Sequence, residues 1–365
     1  QRNANGTYTE YLTKTSTSQL FGLRSSFFTG SIDNVSVKEY ITATNTPRLD
    51  YSTGAEAFLL EPQSTNLVTQ SEDFSDASWI KYGTPTIDIT SIISPDGTLN
   101  GTKVTRGSNA TPLRRSNLTT LGTEYTFSLY AKKGSVDKIY LDIGDEAHVE
   151  FTLTDEWQRF QVTQTPTTYT HIDISFGTSV SGDHFFIFGA QLEQKSYATS
   201  YIPTSGAIST RNQELCNNAT PVINSEEGTL YFEGSALDDD GTDRKITLSD
   251  GSLNNVINFG FSRFNGNINA EVISGGVLQT SGFGATGIAQ DNNNKFALSW
   301  GGGVSKFYVN GTLASSYTSV TSPIGMNVLN FTSGSGGQRM YSNTKSLQVY
   351  PKALADVQLQ DLTTL

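Results

Sequence analysis

Three stretches of the chain alternate apolar and polar residues, and their polar sets carry side chains suited to holding a ligand. They are YTFSLYAKKG (125–134), DKIYLDIG (137–144) and TYTHIDISFG (168–177). As strands, they put Phe127 and Leu129, then Ile139, Leu141 and Ile143, then Ile172, Ile174 and Phe176 on the inward phase. The same alternation sends Tyr130, Tyr140, Asp142, Tyr169, His171 and Asp173 to the outer face. Aromatic rings stack on the C–H-rich faces of sugars while carboxylates take hydroxyl hydrogens, so this set has the chemistry of a glycan-binding surface. Cross-strand tyrosine pairing on a solvated sheet is the plainer use of the same residues.

Bond-making chemistry is harder to find. Hydrolysis by paired carboxylates needs acids projecting together into a cleft. The nearest approaches, Glu227 and Glu233 in EGTLYFEG and Asp145, Glu146 and Glu150 in DEAHVE, lack alternate-residue spacing that would put three acids on one strand face. The histidines are His148, His171 and His184. His171 and Asp173 sit two apart on one strand with no nucleophile elbow, which is not the layout of a triad. No phosphate-binding glycine loop and no Cys/His zinc spacing occurs. These absences predict a protein that is not an enzyme.

One stretch offers oxygen ligands to a hard cation. ALDDDGTDRK places Asp238, Asp240 and Asp243, with Asp239 between them, around Gly241. The spacing and the distal Glu of an EF-hand are missing. Two readings stand: a turn holding a structural calcium ion, or a solvated acidic turn.

The elements that position these residues follow from composition. The chain has 365 residues, 16% of them charged, with 16 Tyr and 20 Phe against 2 Met. That balance fits many short strands and polar turns, hence an all-β fold of two antiparallel β-sandwiches (jelly rolls) in tandem, preceded by strands of a partial module. Residues 1–46 read as the closing strands of that module, 47–211 as the first complete sandwich and 212–365 as the second. The chain starting at Gln1 reads as part of a longer polypeptide. Asn310-Gly311 predicts a tight hairpin and the glycines at 301–303 another, because both need positive φ. A short helix is expected over 352–361, after Pro351. Phe296, Leu298 and Trp300 should share an inward face with Phe307 and Val309, and Trp157 should be buried with Phe160 and Val162. A single Cys216 allows no internal disulfide. The net charge of −11 opposes nucleic-acid binding, and no apolar run is long enough to insert in a membrane.

Several of these stretches resemble known families. PRLDYSTGAEAFLLEPQSTNLVTQSEDFS, YTFSLYAKKG, EWQRFQVT and FGAQLEQKSYATSYIPT look like a carbohydrate-binding-module-like jelly roll of phage structural proteins, and GSIDNVSVKEY like the closing strand of a sibling copy. FALSWGGGVSKFYVNGTLASSY and LQVYPKALADVQLQDLT are similar to laminin-G/concanavalin A-like lectin domains. Asp33 stands where related jelly rolls hold a calcium ligand, but the matching stretch of the complete module reads Gly189-Ala190-Gln191, without a carboxylate. The resemblance implies a virion or tail-fibre protein, extracellular, whose partners are host cell-surface polysaccharide and other virion or tail proteins. It implies assembly as a homo-oligomer, with a trimer expected. Three functions compete: a glycan-binding adhesin, a purely structural spacer or decoration module of the virion, and the accessory region of a polysaccharide depolymerase whose catalytic part lies elsewhere.

Overall fold

The computed structural model describes residues 48–51 and 56–365, apart from Thr178, Asn265, Ser281 and Phe283. The expected partial module at 1–46 lies outside the described residues. Over the rest the chain is all-β: antiparallel sheets form two sandwiches, with one short helix among the described residues. No helix of the described residues is long and apolar enough to cross a membrane.

In the first sandwich, five strands make a front sheet in the order Val149–Thr152, Lys138–Ile143, Ile172–Ser175, Leu113–Arg115 and Ile80–Lys81. Five others make a back sheet in the order Gln158–Gln164, Tyr125–Lys132, His184–Glu193, Gly101–Thr105 and Thr86–Ile92. The inward phases meet between them as expected. Phe127, Leu129, Ile139, Leu141, Ile143, Ile172 and Ile174 are fully buried and Phe176 nearly so, with Phe74, Trp79 and Phe185. Burying each such side chain contributes about 1.5–3 kcal/mol.

The outer face of the back sheet is covered too. The chain after Glu193 folds across it, with Thr126 Oγ1 donating to Lys195 O at 2.8 Å and Arg159 Nη1 to Thr199 O at 2.7 Å. A bulge between Phe188 and Gln191 makes room for this return. Gly189 holds it at φ +67°, and a Cβ there would lie 3.1 Å from the Tyr201 ring.

The second sandwich has a seven-stranded sheet, in the order Arg48–Asp50, Ala57–Leu60, Ser342–Tyr350, Gly228–Ala236, Asn294–Gly301, Val304–Val309 and Thr312–Thr318. Facing it, the strands Val277–Leu278, Asn267–Ser274, Val256–Phe261, Arg244–Ser249 and Val328–Asn330 run in that order, with Gly284–Thr286 pairing Asn267–Ser274. Phe296, Leu298, Trp300 and Phe307 are fully buried between the sheets and Val309 nearly so; Phe232 stacks on Phe296 at 4.7 Å. Asn310 and Gly311, at φ +49° and +77°, close one two-residue hairpin, and Gly302 and Gly303, at +58° and +76°, close another. The helix spans Asp356–Thr363, slightly later than expected, and seats Leu359 on Tyr231, Ala297 and Tyr308.

The boundary between the sandwiches differs from the expected cut at residue 47. Arg48–Asp50 and Ala57–Leu60 belong to the second sandwich: Phe58 pairs with Thr344, and Leu60 lies in the second core. The chain then leaves this sheet, builds the first sandwich, and returns. The crossing points touch, with Glu214 N–H donating to Glu61 O at 2.9 Å and Glu61 N–H to Glu214 Oε2 at 2.7 Å. Arg48 donates to both carboxylates, and Arg211 lies 3.0 Å from Glu61. The first sandwich is thus inserted into the second, and ion pairs made by two buried carboxylates, Glu61 and Glu214, pin the two crossing strands together. Alternation in AFLLE suits either sandwich equally; only register reveals which sheet it joins.

Trp157 is mostly covered but less completely than Trp300: its ring is part-buried, and Nε1 donates to Ile93 O at 2.9 Å. Its strand neighbour Val162 is buried, but Trp157 precedes the strand and follows a turn, where alternation no longer sets direction.

Candidate functional site

The outer face of the front sheet carries a charged row set by strand register. Ile80 pairs with Arg114, Arg114 with Asp173, and Asp173 with Asp142. Val149 pairs with Leu141, which brings the preceding His148 to Asp142, Nδ1 to Oδ2 at 2.6 Å. A second row beside it runs Ser175, Tyr140 and Glu150. Asp142 and Asp173 are 0% and 1% exposed although they lie on the outer face, because side chains close over them from both ends.

Arg114 is the main closure. Nε and Nη2 donate to the two oxygens of Asp173 at 2.7 and 2.5 Å, a forked charge-assisted pair, and Nη2 lies 3.2 Å from Asp145. Hydrogen bonding to Asp173 raises the Arg114 guanidinium above its ordinary value, keeping it charged. Asp145 reaches the row from the turn after Lys138–Ile143, where Gly144 and Asp145 both adopt positive φ, +75° and +56°. That turn aims Asp145 N–H at Asp142 Oδ1, 3.2 Å away, and places its carboxylate 3.0 Å from His171 Nε2. Burial first, then the charge of Asp173, pushes the Asp142 carboxyl upward.

The rings stand at the edges of this row. Tyr169, 51% exposed, lies on His171 with centroids 5.5 Å apart and planes 33° apart. Tyr82, 37% exposed, has the Arg114 guanidinium over its ring at 5.6 Å. Tyr140 donates its hydroxyl to Glu150, which raises its pKa, and Lys138 pairs with the same carboxylate. A Cβ at Gly177 would collide with the Tyr140 ring, so the glycine leaves that ring its place.

The structure therefore gathers five of the six outer-face residues read from sequence: Tyr140, Asp142, Tyr169, His171 and Asp173. Tyr130 is elsewhere, on the outer face of the back sheet. Its ring lies under the Arg159 guanidinium at 5.6 Å, edge-on to Tyr201 at 6.4 Å and tilted to Phe188 at 6.2 Å. Tyr130 is a seat for the returning chain, and alternation misplaced it because period two tells outward from inward but not which sheet a strand joins. Arg114, Tyr82, Asp145 and His148 were missed as members. Their joining depends on register across strands distant in sequence, a signal no local pattern carries.

A ligand atom from each of Asp142, Asp145, His171 and Asp173 lies within 4.8 Å of the others, close enough to share a cation. Arg114 supplies positive charge to two of these three carboxylates, so the cluster is compensated only in part from within the protein. The turn read from sequence as a calcium candidate is different. Asp240 pairs with Arg244 at 2.8 Å, Asp243 accepts from Arg263 N–H and Gln338, and Asp238 accepts from Ser196. The carboxylates of Asp238, Asp240 and Asp243 thus turn to separate protein donors rather than to a common point. Asp33 lies outside the described residues.

No family model and no curated protein matches the chain. Solved structures to which part of the chain is similar include the CBM40 of a Ruminococcus gnavus IT-sialidase, at 15% identity and TM-score 0.33 over 39% of this chain and 85% of that one. The NanB sialidase of Streptococcus pneumoniae matches at 17% and 0.33 over 39% and 24%. The tandem CBM22-1–CBM22-2 of Paenibacillus barcinonensis Xyn10C matches at 10% and 0.27 over 81% and 100%. At such scores these likenesses carry no argument about fold or ligand.

Proposed function

We propose that this is a non-catalytic protein that binds carbohydrate through the front sheet of its first sandwich, in the setting of a virion or tail-fibre adhesin. The observation that carries the reading is the pair of exposed rings, Tyr169 and Tyr82, each held over a fixed positively charged or imidazole group beside a polar row. Rings preorganised in this way accept the C–H face of a sugar without losing side-chain freedom on binding. The virion setting rests on the sequence resemblance of the first sandwich.

Catalysis is opposed by the same geometry. Asp142 and Asp173 face one another on adjacent strands, but both are closed off by Arg114 and His148. A buried, salt-bridged carboxylate reaches no substrate.

The test is a glycan array probed with the intact protein and with the Tyr82→Ala/Tyr169→Ala double variant. Retention of binding at wild-type strength in a variant with an unchanged melting temperature overturns this face as the binding site. Failure of the wild type to bind any glycan favours the structural-spacer reading.

A further inference from the structure

Resting on the carbohydrate reading of the front sheet, we propose that this face takes neutral or amine-bearing sugars and rejects carboxylated or sulfated ones, with Asp145 setting the discrimination. Five carboxylates stand on or beside the face, Asp142, Asp145, Glu146, Glu150 and Asp173, against two cations, Arg114 and Lys138.

What decides the matter is how those cations are used. Recognition of a sugar carboxylate or sulfate calls for a guanidinium edge offered in a fork. The Nε/Nη2 edge of Arg114 is spent on Asp173, and Nη2 also meets Asp145. Lys138 is held by Glu150 and by Thr152 Oγ1. Of the two histidines at the row, His148 turns its Nδ1 to Asp142 and His171 its Nε2 to Asp145. Among the described residues of this face, therefore, each cation is already committed to a protein acceptor.

The acids outnumber the cations: Asp145 shares Arg114 with Asp173 and Glu150 holds Lys138, so the face keeps a net negative charge. Asp145 is 36% exposed at its side chain and Glu150 45%. Asp145 is linked to the Tyr169 platform through His171, whose Nε2 it meets at 3.0 Å. A sugar stacked on Tyr169 brings its substituents to this carboxylate. Hydroxyls and a protonated amine find an acceptor there, while an anionic group meets a like charge at roughly 6 Å, a repulsion worth a factor of about three to ten in affinity. The net charge of −11 extends the exclusion to polyanions at longer range, where salt screens it.

The experiment uses the intact protein on a panel of neutral oligosaccharides, glucosamine oligomers with free amines, and galacturonate and sulfated oligosaccharides, at about 0.1 and 0.5 M salt. Neutral and amine-bearing spots should be bound, with acidic spots weaker and gaining at high salt. Asp145→Asn should raise the acidic-to-neutral binding ratio by about three- to tenfold, and Glu150→Gln, which leaves Arg114 and His171 untouched, should raise it in the same direction. Preference of the wild type for acidic spots, or an unchanged ratio in both variants, overturns the inference. If the acidic preference is lost in Tyr169→Ala, the face binds sugars and only the charge rule fails; if no spot binds, the carbohydrate reading itself fails.

Discussion

Asp173 and Asp142 are register partners on adjacent antiparallel strands, so two carboxylates, each at most 1% exposed, face one another under Arg114 and His148. Like charges directly opposite destabilise a sheet, and here burial adds to the repulsion. Asp142 takes the strain: its pKa is raised by desolvation and then by Asp173.

A stability profile follows from that shift. The folded state holds the Asp142 proton more tightly than the unfolded state, so stability is fully present below the ordinary aspartate value of about 4 and is lost as pH rises through the raised value. Asp142→Asn should remove this loss. Thermal unfolding from about pH 3.5 to 7 should show the variant gaining on the wild type as pH rises; a constant difference across that range contradicts the assignment.

Tyr130→Ala should cost stability, not binding. Its ring supports Tyr201 and Arg159 at the chain's return over the back sheet, and losing a half-buried aromatic there should cost about 2 kcal/mol. Denaturant unfolding reads the loss. A stable variant with weakened glycan retention would place the ligand on the back sheet instead.

Glu61 is 4% exposed between Arg48 and Arg211, and accepts Ser200 N–H at 2.8 Å. Glu61 is buried while its partners Arg48 and Arg211 are part-exposed and Arg48 keeps Glu214, so Glu61→Ala should lower stability by about 2–3 kcal/mol, largely through donors left without an acceptor. Because Glu61 lies at the crossing, calorimetry should show both sandwiches affected. A shift confined to one of them would mean that they unfold independently.

Chain truncation separates the expected boundary from the observed one. A chain beginning at residue 212 lacks Ala57–Leu60, exposes the Ser342–Tyr350 edge and empties the Leu60 site. Joining residues 48–61 to 214–365 across the touching ends restores both. The joined chain should melt well above the truncated one, since Leu60 alone is worth about 2–5 kcal/mol as a deleted core side chain. Equal melting temperatures would show that the strand adds nothing.

Local pattern by itself determined the all-β class, the inward phases of Phe127, Ile139, Ile172 and Phe296, and the hairpins at Gly302-Gly303 and Asn310-Gly311. These rest on interactions within a few residues, where strand period and positive φ leave little choice. Only the tertiary structure decided that Tyr130 and Asp142 lie on different sheets, that Arg114 closes over Asp173, and that Phe58 joins a strand nearly 290 positions later. Alternation fixes which way a side chain points, but register fixes what it meets, and register is chosen by the whole sheet and core.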